Sequence, residues 1–150
     1  MKTESQQVTN LINKIMRKII YAAFLVLLSN YTFGQNNKFQ LSSHILDVSK
    51  GAPAKDISIR LEKYDEQAKV WSFVDEKKTD LNGRITDFLN SEKSNLGIYK
   101  LTYYTSEYFK KDGIESFYPF IEVVFKIKDQ SHYHVPITLS AFGYSTYRGN

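Results

Sequence analysis

An antiparallel β-sandwich or barrel is the fold class this chain predicts, and three features of it say so. Short runs alternate apolar with polar residues at the period of two that a half-buried strand requires. Turn residues separate those runs at roughly 8–12 positions, the spacing of short antiparallel strands. No repeat and no long helical stripe of apolar residues competes with that pattern. At 150 residues the chain holds one domain, or one domain plus a leader, and is too short for two independent cores. Hydrophobic residues at 42% against 24% charged exclude intrinsic disorder. There is no cysteine, which excludes disulfide scaffolds, thiolate metal sites and cysteine nucleophiles.

The elements follow in order. Ile19 to Leu28 is an unbroken apolar run placed directly after Lys14, Arg17 and Lys18. A basic stretch, a short apolar run and a small residue before a polar segment describe a signal peptide over residues 1–35, with cleavage expected after Gly34. Ten helical residues rise about 15 Å, half of a bilayer core, so a stable span is not expected after processing. A buried or membrane-anchoring helix is the competing reading, and Met1 and Met16 are both possible starts. The leader also carries the charge excess. The whole chain is +4, but Lys2, Lys14, Arg17 and Lys18 lie in the leader with Glu4 as its only acid. Residues 36–150 are left about +1, which gives no electrostatic footprint for nucleic acid. The expected location is therefore periplasmic or secreted.

Phe39–Asp47 opens the domain as a strand, ended by Ser49-Lys50-Gly51 and Pro53. In Asp56–Tyr64, Ile57, Ile59 and Leu61 point inward and Ser58, Arg60 and Glu62 outward. Val70–Val74 is the next strand, and Asn82-Gly83 makes a turn just before Arg84, where another strand begins. Gly97–Thr105 follows. Ser106 stands in N-cap position before a single short helix that Gly113 stops. Phe120–Ile127, His132–Ser140 and Gly143–Arg148 complete seven to eight strands. Aromatic residues concentrate from Tyr99 onward, which points to a dense core or a subunit interface there.

The candidate chemical groups are few. The histidines are His44, His132 and His134. Alternation places His132 and His134 on one face of their strand, and His44 on a face with Ser42 and Leu46. His-x-His is also a metal-ligand spacing, to which His44 would add a third nitrogen, but no carboxylate or thiolate groups with them. The serines lack a nucleophile-elbow context. On spacing alone, the reading stops at an exported β domain with some histidines.

Specific segments carry it further. Leu41-Ser42-Ser43-His44-Ile45-Leu46-Asp47, Thr79-x-x-Asn82-Gly83-Arg84, Gly97-Ile98-Tyr99-Lys100-Leu101, Phe117-Tyr118-Pro119, His132-Tyr133-His134-Val135-Pro136 and Gly143-Tyr144-Ser145-Thr146-Tyr147-Arg148-Gly149 occur in this order. With them the chain resembles the 5-hydroxyisourate hydrolases, or transthyretin-like proteins, from Gln40 to its end. Two positions depart from that pattern: Asn82 where Asp is usual before Gly-Arg, and Asn150 where the family ends in Ser.

The resemblance implies a transthyretin-like sandwich with one short helix, assembled as a homotetramer with active sites in a channel between dimers. It implies hydrolysis of 5-hydroxyisourate to 2-oxo-4-hydroxy-4-carboxy-5-ureidoimidazoline in urate degradation, without metal or organic cofactor. His44, Arg84 and His134 become the catalytic candidates, with either histidine as general base. Tyr147, Arg148 and Gly149 join His44 and Arg84 as substrate-binding candidates. His132 is expected at the channel edge or in solvent. The alternative is a non-catalytic small-molecule binding protein on the same fold; a carbohydrate-binding sandwich would need an exposed aromatic row, whereas these aromatics are expected to point inward. Neither nucleic acid nor, once the leader is removed, a membrane is expected as a partner.

Overall fold

The computed structural model describes residues 4–28 and 38–149. The chain divides into two units, one ending at Asn36 and one beginning at Asn37. The first is a single helix, α1 (Glu4–Leu28), which begins well before the apolar run. Leu11, Ile12, Ile15, Met16, Ile19 and Ile20 on it are exposed. No helix among the described residues is long and apolar enough to cross a membrane. The expected cleavage point after Gly34 lies outside the described residues.

The second unit is a two-layer all-β sandwich. Its strands are β1 (Phe39–Asp47), β2 (Ala52–Pro53), β3 (Ser58–Asp65), β4 (Val70–Lys78), β5 (Arg84–Asn90), β6 (Gly97–Tyr103), β7 (Ile121–Ile127), β8 (Tyr133–Ser140) and β9 (Gly143–Thr146), with α2 (Ser106–Lys110) after β6. One sheet runs β4-β3-β6-β7. The other runs β2-β1-β8-β9, with β5 also on β1. Both β5 and β2 pair along β1, β5 over Phe39–His44 and β2 over Leu46–Asp47.

The pairing of β1 with β8 is parallel, from Leu41 against Tyr133 to Asp47 against Leu139. It departs from the antiparallel pairing expected. A strand paired on both sides is covered on both edges, and β1 accordingly buries Gln40, Leu41, Ser42, Ser43, Ile45 and Asp47. Between the layers, Ile59 and Leu61 of β3, with Ile57 just before it, meet Leu41, Ile45, Ile137 and Leu139, with Phe88, Tyr99 and Leu101 filling the centre. Tyr103 ties the two sheets. Its hydroxyl lies 3.0 Å from Ser43 Oγ and donates to the Val135 carbonyl at 3.3 Å, and burial pushes its phenol far above the usual range.

Two local readings change. Thr105, not Ser106, occupies the cap of α2, and it makes no capping hydrogen bond through its side chain. Burial of Thr105 and Phe109 fixes the entry to the helix, so core packing outweighs the better capping residue. The late aromatics also do not all point inward: Phe117, Phe120, Phe142, Tyr144 and Tyr147 are exposed.

Candidate active site

Arg84 owes its place to the turn before it. Asp80 accepts through Oδ1 from the backbone N–H of Asn82 and of Arg84, both at 2.8 Å, and its carbonyl accepts from Gly83 N–H at 2.9 Å. Gly83 has φ +69, while Asn82 is not among the left-handed residues, so this is not the two-residue hairpin turn that an Asn-Gly pair favours. It is a corner. It carries the chain from β4 in one sheet to β5 in the other. A Cβ on Gly83 would sit 2.6 Å from the Ile45 carbonyl oxygen, so glycine alone lets the corner press against β1. The contact is secured by Ile45 N–H donating to the Gly83 carbonyl at 2.9 Å.

Register then assembles the site. Arg84 lies directly opposite His44 across the β1–β5 ladder. On the other side of β1, Ser42 is opposite His134 and His44 opposite Pro136. Three adjacent strands, about 4.8 Å apart, therefore bring Arg84, His44 and His134 onto one outer face of the sheet.

The end of the chain closes this face. The β8–β9 ladder runs from Ser140–Gly143 to Ile137–Thr146, and the same register resumes at His134–Gly149. It lapses at Pro136, which has no N–H to offer. Thr146 Oγ1 instead donates to the Pro136 carbonyl at 2.8 Å, and Gly149 N–H donates to the His134 carbonyl at 2.9 Å. Alternation puts Tyr147 on the histidine face and Arg148 on the other. The Arg148 guanidinium lies 4.8 Å over the ring of Tyr133, on the face away from His134. Gly149 is packed so tightly that a Cβ there would come 2.6 Å from His134 Cδ2. Asn150 lies outside the described residues.

Both candidate bases are biased toward the neutral form. Partial burial and then the Arg84 charge hold His134 below its ordinary value of 6.5, with His44 and His132 adding to the effect. The same two causes, in the same order, lower His44, opposed by a hydrogen bond to the Asn82 backbone and by Asp80. Neutral imidazole at pH 7 beside a permanent cation is what a general base needs next to developing negative charge. The Arg84 guanidinium makes no ion pair among the described residues, which leaves its planar fork available.

Sequence reasoning missed one part of this arrangement. His132 does not stand free in solvent. It is half-buried, and Ser42 Oγ joins it to His134, at 2.8 Å from His132 Nε2 and 2.9 Å from His134 Nδ1. A cleft of about 470 Å³ lies between β7 and the β8–β9 edge, with His134, Tyr147 and Arg148 in its wall. A larger one of about 660 Å³, beside α2 and residues 113–119, has no histidine or arginine in its wall.

Solved structures similar to this chain include a transthyretin and a 5-hydroxyisourate hydrolase. Sea bream transthyretin, solved with thyroxine, superposes with a TM-score of 0.69 at 27% identity over 73% of this chain and 94% of its own. A 5-hydroxyisourate hydrolase from Klebsiella pneumoniae gives 0.63 at 34% identity, covering 73% and 98%. In sequence, a probable 5-hydroxyisourate hydrolase of Caenorhabditis elegans is 45% identical, covering 73% of this chain and 81% of its own. The 5-hydroxyisourate hydrolase of Mus musculus is 40% identical, covering 73% and 94%. The model of the HIUase/Transthyretin family matches residues 41–149. The chain belongs to the HIUase/Transthyretin family.

Proposed function

We infer that the protein is a 5-hydroxyisourate hydrolase, opening its substrate at a ring amide to give 2-oxo-4-hydroxy-4-carboxy-5-ureidoimidazoline. The observation that carries this is the convergence of Arg84, His44 and His134 on one sheet face, in a chain with 5-hydroxyisourate hydrolase relatives up to 45% identical. His134 takes a proton from the attacking water. Arg84 holds the ring oxygens and stabilises the oxyanion that forms on the carbonyl. His44 orients water or substrate, and Tyr147 and Gly149 shape the pocket. The chemistry calls for no metal or organic cofactor.

The carrier alternative is not favoured. An apolar hormone needs no neutral imidazole pair beside a guanidinium, and the relatives most similar in sequence include several named as 5-hydroxyisourate hydrolases.

The working form is a homotetramer, released from its leader and located in the periplasm or outside the cell. Support for assembly comes from β7 and β9, each an edge strand on the same side of the sandwich, and from exposed Phe142, Tyr144 and Tyr147. Support for the leader comes from the basic and apolar runs of residues 1–35 and the division of the chain at Asn36. The test is the ultraviolet decay of freshly generated 5-hydroxyisourate with purified protein. Decay faster than in buffer is expected; decay at the buffer rate rejects the assignment.

A further inference from the structure

The hydrogen bonds around Ser42 have a fixed polarity. His132 Nδ1 lies 3.1 Å from the Phe39 backbone carbonyl, an oxygen that can only accept. Nδ1 therefore carries the proton. A neutral imidazole has one N–H, so His132 Nε2 is an acceptor, and the Ser42 hydroxyl donates to it at 2.8 Å. That uses the only hydrogen Ser42 has. Toward His134 Nδ1, at 2.9 Å, Ser42 can then only accept, so His134 Nδ1 is the protonated nitrogen and Nε2 bears the free lone pair.

We propose that His132, acting through Ser42, is a positioning residue that holds His134 in the tautomer whose Nε2 is the base. This rests on the reading of His134 as general base. The chain is built into the fold at each link. The parallel register sets Ser42 beside His134, with His132 two residues earlier on the same face, and Ser42 is 7% exposed. Gln40, two residues before Ser42, donates through Nε2 to the carbonyls of Asp129 at 2.7 Å and Ser131 at 3.3 Å. This pins the loop that delivers His132. The groups facing the chain are Arg84 from β5, His44 from β1, and Lys38, which shares a cleft with His132. If His132 were charged, Nε2–H would donate to Ser42, Ser42 would donate to His134 Nδ1, and the His134 lone pair would be at Nδ1, already engaged by Ser42.

Two measurements on the full chain test this. In long-range ¹H–¹⁵N spectra at pH 8, His134 is expected as the Nδ1–H tautomer, and a shift toward Nε2–H is expected in Ser42→Ala. In the hydrolysis assay, Ser42→Ala and His132→Phe are each expected to lower kcat about 10-fold, the bias one neutral hydrogen bond gives, with KM within ~3-fold. Ser42→Thr, which keeps the hydroxyl, is expected to restore most of the rate. An Nε2–H tautomer in the unaltered protein overturns the proposal. So does full activity of both Ser42→Ala and His132→Phe while His134→Asn is inactive. Full activity of His134→Asn instead removes the base assignment, and the tautomer spectrum still decides what Ser42 and His132 do.

Discussion

Replacing Gly149 with alanine puts a Cβ 2.6 Å from His134 Cδ2 and 3.2 Å from both its Cβ and Cγ. Ordinary van der Waals contact begins near 3.4 Å, so the two groups must separate by about 0.8 Å. The imidazole cannot easily yield, because Ser42 holds Nδ1 at 2.9 Å. The terminal segment must therefore lift, and the 2.9 Å bond from Gly149 N–H to the His134 carbonyl stretches beyond 3.5 Å and is lost. One net hydrogen bond is worth about 1 kcal/mol, or about 4–8 °C in Tm for a domain near this size. The effect on rate is larger. The lifted segment carries Tyr147, which shapes the pocket, and a misplacement approaching 1 Å there costs up to about 10²-fold, so kcat/KM for 5-hydroxyisourate is expected to fall 10- to 100-fold while the fold survives. Melting followed by circular dichroism and the ultraviolet decay assay read the two effects separately. Unchanged kcat/KM in Gly149→Ala would refute the claim that the chain terminus and His134 form one packed unit.

Other outcomes follow from the same geometry. Gly83→Ala combines φ +69 with a Cβ 2.6 Å from the Ile45 oxygen, so a loss of about 2–3 kcal/mol by urea unfolding is expected, with Arg84 displaced; a stability within 0.5 kcal/mol of the parent contradicts the corner. Arg84→Lys keeps the charge but loses the fork, and kcat is expected to drop ~10²-fold; a change under ~3-fold means that charge alone suffices. The base must be unprotonated, and both histidines are held below 6.5, so kcat/KM is expected to rise with pH through an apparent pKa below 6.5 and to stay level above it. Arg84→Met removes one cause of that lowering, so the inflection should move up. A downward move would be the wrong sign. Mass spectrometry of the protein from its native host is expected to find an N-terminus near Gln35, and an intact Met1 or Met16 terminus in the soluble cytoplasm would remove the leader.

What the sequence discloses is mostly what depends on near neighbours. Alternation in Phe39–Asp47 and Ile57–Leu61 gives both strands and their buried faces, because strand period is local. Gly83 and Arg84 are visible as a turn followed by a strand start, although the turn proves to be a corner between sheets. The parallel β1–β8 pairing is not visible, since it joins segments some 90 residues apart and neither records its partner. Ser42 shows why this matters. As one small polar residue in a strand it carries no signal, and only the register against His134 turns it into a link between two imidazoles. The tie between His132 and the site is therefore not visible in the sequence. The exposure of Phe117, Phe142 and Tyr144 is likewise not legible, because aromatic content alone does not say whether a ring faces a core or a neighbouring subunit.

The central claim is that His134 is the base of a hydrolase acting on 5-hydroxyisourate. The most direct test is the kcat of His134→Asn relative to the unaltered protein, measured by ultraviolet decay on samples with matching circular dichroism spectra. The expected result is a fall of at least ~10²-fold, the usual contribution of a general base. A kcat within ~3-fold of the unaltered protein would contradict it.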